Sequence, residues 1–417
     1  MYNKNFIILC ALLLTLINTA YCIVLIPMDK QQKDHLRAYG VAYNSVKSGY
    51  KAEWALNYRG GSFIIFDDTA SSLARDYGVT HQIISASEYD TIRSIVDENN
   101  MELVPLEKTA RIAVYAPPIF NPWDDAVTLA LDYAKIPYDR IWDEEVINGK
   151  LFNYEWIHLH HEDFTGQFGK FLAYKDTAWY IAQKQRELES AQKLGYPTVA
   201  ALKYKTAQTL RLFVENGGFL FTMCSATDTL DIALSTQGTD IVPEEYDGTP
   251  IDPNFAAKMS FKDTFAFETF TLITDPYMYE YSTIDTPRTH QPDFSVQRYF
   301  KLFEFAAKID VVPSLLNQNH THVIKDFLGQ TTSFTLHTIK KDVTILGRYE
   351  VFEEAKYIMA KRGKGFFVFL GGHDPEDFQH FIGDPPTDIT LHKNSPGYRL
   401  ILNNILFPSA KKKELKT

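Results

Sequence analysis

The chain has 417 residues, with 52 acidic side chains against 42 basic ones and a net charge of −10 when histidine is neutral. That balance excludes a nucleic-acid binder, whose affinity comes mainly from Lys and Arg neutralising phosphates, while a 45% hydrophobic content over this length fills two domain cores. Three cysteines, two of them (Cys10 and Cys22) close to the start, exclude a disulfide framework and any zinc site built on several thiols.

The first element reads as a leader. Lys4, an apolar run over 6–17 and then Asn18-Thr19-Ala20-Tyr21-Cys22 have the layout of a secretory signal peptide over 1–22. The run is too short to cross a hydrocarbon core about 30 Å thick, and no later stretch is long enough. The mature chain is therefore expected to be exported to the periplasm or beyond the cell, and not to span a membrane. Cys224 is then the one thiol left, either a small buried hydrophobe or a reactive group.

Residues 23–108 alternate strand-like runs (23–27, 52–56, 62–66, 82–85) with helix-like ones (34–48, 71–77, 87–99). This βαβ rhythm predicts a small parallel sheet covered by helices. The stretch from Asn57 to Ser62, with Gly60-Gly61 inside it, reads as a tight turn, with an anion-binding nest as the alternative.

A larger α/β unit is expected over 109–408: a strand at 112–115, a helix at 123–135, a strand at 156–159 and a long helical pair broken near Gly195-Tyr196-Pro197. The second helix of that pair, 198–215, ends at Asn216-Gly217 and feeds a strand at 219–223. An insertion over about 241–346 reads as mostly β, with strand-like runs at 265–272 and 333–337. The α/β pattern resumes at 365–370 and closes with a helix at 398–406, leaving 409–417 as a solvated basic tail. The aromatic run 277–281 reads as core or interface, with stacking on sugars as the other use for exposed rings.

Three places can carry chemistry. In Gly217-Gly218-Phe219-Leu220-Phe221-Thr222-Met223-Cys224-Ser225-Ala226, a turn, an apolar strand, one Cys and small residues opening a helix describe a nucleophile elbow. There the amides of Cys224 and Ser225 can hold an oxyanion, and a helix N-terminus can lower a thiol pKa. In Phe367-Val368-Phe369-Leu370-Gly371-Gly372-His373-Asp374-Pro375-Glu376, a second apolar strand ends in Gly372 and a histidine, with Asp374 or Glu376 placed to orient it. The third place, His158-Leu159-His160-His161-Glu162-Asp163, ends another strand. His158 and His160 share a face by alternation; His160 and His161 are expected to line the pocket, and His158, His160, His161 and Asp163 are candidate zinc ligands. Asn319-His320-Thr321-His322 reads as polar surface, with further metal ligands as the alternative.

The order of these motifs resembles class I glutamine amidotransferases and the related intracellular-protease and dipeptidase branches, over roughly residues 110–408. The resemblance implies a doubly wound parallel sheet, Cys224 as nucleophile, His373 as base and Glu376 as the orienting acid. The elbow here reads Met-Cys-Ser-Ala where the family prefers glycines, and Asp374 adds one residue to its His-x-Glu spacing. The whole chain also resembles an uncharacterised family of exported bacterial proteins that automatic labels often call asparagine synthetase B. Its residues do not support that label: Cys22-Ile23-Val24 lacks the glycine that should follow an N-terminal cysteine nucleophile, and no Ser-Gly-Gly-type pyrophosphate loop for ATP is present.

Three readings of function follow: a thiol-dependent hydrolase of amide or acyl bonds, a periplasmic binding module for a small molecule or cell-envelope ligand, and a metal-dependent hydrolase using the histidine cluster. No cofactor is expected, with zinc the one candidate.

Overall fold

The structure is a computed structural model and describes residues 22–118, 123–285, 298–310, 312–379 and 381–412. Apart from Cys22, the expected leader lies outside the described residues, as does the end of the tail. Helices of eight or more residues are numbered below.

The fold is α/β, built on two sheets. The first holds β1 (Ile23–Ile26), β2 (Ala52–Leu56), β3 (Ser62–Ile65), β4 (Gln82–Ile84) and β5 (Glu102–Leu106) in the order β4-β1-β3-β2-β5. Between these strands run α1 (His35–Lys47), α2 (Thr69–Asp76) and α3 (Ala86–Glu98). The local signals act as read: Ser85 and Glu88 form a reciprocal capping box at the start of α3. The pairing does not follow the expectation, because every ladder in this sheet is antiparallel. Only residues 57–61 join β2 to β3, and a parallel crossover needs a dozen or more residues. Asn57, Arg59, Gly60 and Gly61 all take positive φ to close that turn, and two of its amides are used within the fold: Asn57 donates to Gln318 Oε1 at 2.8 Å and Gly61 to Tyr58 O at 3.1 Å.

The second sheet begins with β6 (Ile112–Tyr115), α4 (Ala126–Ala134), β7 (Asp139–Ile141) and β8 (Trp156–Leu159). The helical pair follows as α5 (Ala178–Lys193) and α6 (Val199–Glu215), capped by Asn216 with Gly217 at φ 117°. Then come β9 (Phe219–Met223), α7 (Ala226–Thr236), β10 (Tyr299–Leu302), β11 (Val323–Lys325), β12 (Phe334–Thr335), β13 (Thr344–Arg348), β14 (Glu354–Arg362), β15 (Gly365–Leu370) and α8 (Pro396–Leu406). The order is β11-β10-β13-β14-β15-β9-β8-β6-β7, with β12 against β14. The half from β15 to β7 is parallel, and the half from β11 to β14 is antiparallel.

Alternation along the parallel strands serves two cores. Val114, Trp156, Phe221 and Leu370 join α1, α4 and α8 in a core shared with the small sheet. Tyr115, Ile157, Leu220 and Phe369 pack on the opposite face against α6 and α7. Helices thus cover both faces of this half, as a doubly wound sheet requires.

The two units are joined through α8. Its Arg399, fully buried, donates to Tyr39 Oη at 2.9 Å, to Met28 O at 3.2 Å and to Gly60 O, and meets His320 Nδ1 at 3.1 Å. His320 also stacks on His35, with centroids 4.3 Å apart, so it is junction rather than polar surface. The tail is not wholly solvated either, since the Lys411 amide donates to Pro105 O at 2.8 Å.

The expected strand at 265–272 is irregular backbone. Buried Asp231 accepts from the amides of Phe265, Ala266 and Phe267 at 2.5, 2.7 and 2.9 Å, replacing a strand neighbour.

One buried ion pair anchors α6 to the sheet. Lys203 Nζ lies 2.8 Å from Asp143 Oδ2 and 2.9 Å from Tyr115 Oη, and over the Trp142 ring at 4.0 Å. Removing the cation alone leaves a buried carboxylate held, among the described residues, by the hydroxyls of Tyr115 and Thr206. Lys203→Met is expected to cost roughly 3–5 kcal/mol in urea unfolding, and Lys203→Met with Asp143→Leu to recover most of that loss.

Candidate active site

The parallel strands end at one level, because Leu370 of β15 is in register with Met223 of β9, and Thr222 with Leu159 of β8. Their following residues therefore meet: Cys224, His160, His161 and His373 emerge at the carboxyl edge, where ligands of doubly wound sheets bind.

Cys224 is an elbow residue. Its φ is +49°, a left-handed conformation that costs a non-glycine residue on the order of 1–3 kcal/mol, and α7 starts two residues later. The strained turn is pinned on both sides: the Cys224 amide donates to Gly372 O at 3.2 Å and the Ala226 amide to His160 O at 3.2 Å. Since the Cys224 amide is committed to Gly372, it is not the oxyanion donor expected. The amides that face the sulfur are those of Ser225, Thr331 and Gln330, the last at 3.3 Å.

A loop roofs the thiol. Residues 327–333 cross the end of β15 so closely that a Cβ on Gly371 would lie 2.2 Å from Thr332 O, and only glycine fits there. Gly372, expected in the pocket, serves this crossing, donating to Thr331 O at 2.8 Å, and the His373 amide donates to Leu328 O at 2.8 Å. Buried Lys356 holds the loop from beneath, bonding Phe327 O at 2.5 Å and Thr332 O at 2.9 Å beside Asp326. Cys224 is consequently 3% exposed, and burial pushes its thiol up to about 11 despite the three amides. A helix start does not outweigh desolvation here.

The pocket above has a volume of about 430 Å³. Cys224, His161, His373, Lys170 and Gln330 supply its polar groups, and Trp123, Phe171, Tyr174, Tyr277, Tyr279 and Phe381 its walls. Two rings of the aromatic run 277–281 are thus pocket wall, while Tyr281 is buried.

The carboxylates expected to orient His373 make other bonds. Glu376 Oε2 lies 3.1 Å from His392 Nδ1. Asp374 accepts from Tyr398 Oη at 2.7 Å and from the Glu376 amide at 2.8 Å, closing a turn that carries Glu376 away.

Around His160 the rings form a chain. His158 Nδ1 meets Phe221 O at 3.0 Å, so that nitrogen carries the hydrogen and Nε2 is bare. His158 Nε2 in turn meets His160 Nδ1 at 3.1 Å. Asp125, capping α4 through the Val127 and Thr128 amides, stands 3.6 Å from His158 Nε2 and 3.5 Å from His160 Nδ1. Burial pulls His160 down, but Asp125, with Glu162 and Asp124, outweighs it and holds the imidazole above the usual range. His158 is held below it, chiefly by burial. Asp163 is not with the histidines; it accepts from the Thr165 and Gly169 amides at 2.6 and 3.0 Å and shapes its own loop. Asp125, Lys170 and Gln330 carried no sequence signal; Asp125 fell inside the helix expected at 123–135 and instead caps the observed one.

No protein-family model matches the chain, and no curated protein matches it. Among solved structures it is similar to two described as cytoplasmic proteins of Salmonella typhimurium, STM3548 and STM1381. They are 10% and 11% identical, with TM-scores of 0.36 and 0.35, covering 73% and 72% of this chain and all of each of theirs. A GH42 β-galactosidase, Gan42B, is 13% identical with a TM-score of 0.29, over 64% of this chain and 28% of its own. Likeness of this size says nothing about activity. The expectation of export is corrected at this point: both Salmonella proteins are described as cytoplasmic. Among the described residues, no helix is long and apolar enough to cross a membrane.

Burial also lifts the Asp228 carboxyl, which accepts from Thr331 Oγ1 at 2.9 Å, to about 7. The folded state then binds this proton more tightly than the unfolded chain, so stability falls as pH rises from about 4 through 7. Asp228→Asn keeps the acceptor and removes the titration; its melting temperature relative to wild type is expected to be higher at pH 8 than at pH 5.

Proposed function

We propose that this crevice is the active site of a thiol-dependent hydrolase of amide or related acyl bonds, on an amidotransferase-like plan. One observation carries the reading: Cys224 takes positive φ on a strand-to-helix elbow, in a pocket that His373 also lines. A sulfur pushed up to about 11 is a thiol at neutral pH, so it needs a base as it attacks rather than a standing ion pair. His373 takes the proton from Sγ while sulfur bonds to the carbonyl carbon. The charge that gathers on the carbonyl oxygen has the amides of Ser225 and Gln330 as its nearest donors. Collapse breaks the acyl–nitrogen bond, and the leaving amine takes the proton from His373. Water then cleaves the thioester, with His373 again as base, and frees the acid and the thiol. The aromatic walls favour a substrate with a flat or apolar group beside the scissile bond.

The test is mass spectrometry of the folded protein treated with p-nitrophenyl acetate. An acetyl adduct on Cys224 that forms and turns over in wild type, and forms far more slowly in His373→Ala, is expected. Iodoacetamide alkylation of Cys224 should keep accelerating up to about pH 10, because the thiol ionises late. A folded protein whose Cys224 never acylates would defeat the hydrolase reading and leave a binding crevice without chemistry.

A further inference from the structure

Beside Cys224, three imidazoles converge in a way the thiol mechanism does not use. One candidate nitrogen from each of His160, His161 and His373 lies within 4.8 Å of the other two. The ring centroids of His160 and His373 are 4.4 Å apart, those of His160 and His161 5.3 Å, and those of His161 and His373 5.8 Å. The three rings come from the ends of two parallel strands, and His161 and His373 open onto the pocket.

His160 supplies a second, independent observation. It is fully buried, and among the described residues its Nε2 has no hydrogen-bond partner. The reason lies one ring back. The Phe221 carbonyl fixes the hydrogen of His158 on Nδ1, so His158 Nε2 accepts, and His160 Nδ1 must be the donor. The lone pair of neutral His160 therefore sits on Nε2, on the far side of the ring from Asp125. A histidine whose remote nitrogen is held near a carboxylate while its other nitrogen is bare has the arrangement of a metal ligand with its supporting shell. Leaving a buried nitrogen unpartnered costs stability that an ion would restore.

We infer that His160, His161 and His373 form a binding site for a divalent transition-metal ion, with zinc the ion that best suits three imidazoles, and with Asp125 and His158 as the groups that orient His160. Zinc–nitrogen bonds of about 2.0–2.1 Å in a tetrahedron place the donors roughly 3.3 Å apart. A rotation of partly exposed His161 toward the other two rings provides that closure. Three ligands leave a fourth position facing the pocket, open to water or to an oxygen of a bound molecule. The alternative set of Asp125, His158 and His160 is the poorer one, because the His160 nitrogen that faces it is Nδ1, whose hydrogen His158 Nε2 accepts, and Asp125 Oδ1 already accepts from the Val127 and Thr128 amides.

This inference stands apart from the thiol reading and competes with it for one residue: an ion on His373 occupies the nitrogen that would accept the proton of Cys224. Zinc loading is accordingly expected to slow acylation of Cys224.

The experiment is metal analysis of the full chain after dialysis against buffered zinc, paired with the visible spectrum of the cobalt(II)-loaded protein. One zinc per chain is expected in wild type and in Cys224→Ser, with the intense cobalt bands of a tetrahedral site and no sulfur-to-cobalt charge transfer. His160→Ala and His161→Gln, both checked for folding by circular dichroism, should lose the ion. Asp125→Asn should weaken zinc binding by 10–100-fold while leaving stoichiometry intact at high zinc. His161→Gln guards against an uninformative loss of fold, since that side chain is not in the core. A folded wild type that takes up no zinc, or a His161→Gln protein that binds it as tightly as wild type, overturns the assignment. Either result leaves acylation of Cys224 untouched, so the two readings fail separately.

Discussion

The crossing of the 327–333 loop over the end of β15 is the contact on which the rest of the site depends. Two glycines make it sterically allowed, and a buried lysine bonded to two of the loop's carbonyls holds it there. From that crossing follow the burial of Cys224, the late ionisation of its thiol, the position of the Gln330 amide and one wall of the pocket. The antiparallel half of the large sheet, which carries Lys356, is in this sense the support of a site whose side chains belong to the parallel half.

Charge in the crevice is unevenly committed. Asp163 and Asp374 shape turns by accepting from backbone amides or a tyrosine, whereas Asp125 caps α4 and also stands beside His158 and His160. Among the described residues, His160 keeps a bare Nε2 once its other contacts are made. Chemistry in this pocket therefore draws on nitrogen and sulfur rather than on oxygen, whichever of its uses prevails.

Much of this was legible in the chain, and the parts that were not share a cause. Apolar strands that end in small residues or histidine announce themselves, so β8, β9, β15 and the residues that follow them were readable. The sheet positions in the first hundred residues were readable too, whereas their pairing was hidden by a rhythm that mimics βαβ; the five-residue link from β2 to β3 was the overlooked signal. Strand β14 was missed because nearly all its side chains are buried on both faces, Lys356 among them, so it shows neither alternation nor a clean apolar run. The backbone at 265–267 looked like a strand because its amide partner, Asp231, lies more than thirty residues away. Gln330 reaches Cys224 across a separation of 106 residues. Glu376 misled for the opposite reason: its spacing suits an orienting acid, but the Asp374 turn sends it to His392.

The contacts of Arg399 bear on how the chain assembles. The partners it gathers, Met28 and Tyr39, stand 371 and 360 residues before it, so the first-made unit cannot complete its interface until almost the last helix has been synthesised. Contacts of such sequence separation form late and slow the overall rate. Until then the nascent chain exposes the apolar surface of α1 that α8 will cover, a state in which larger proteins aggregate. The order of synthesis is thus opposed to the order of closure: α1 is made early and its apolar face waits for α8.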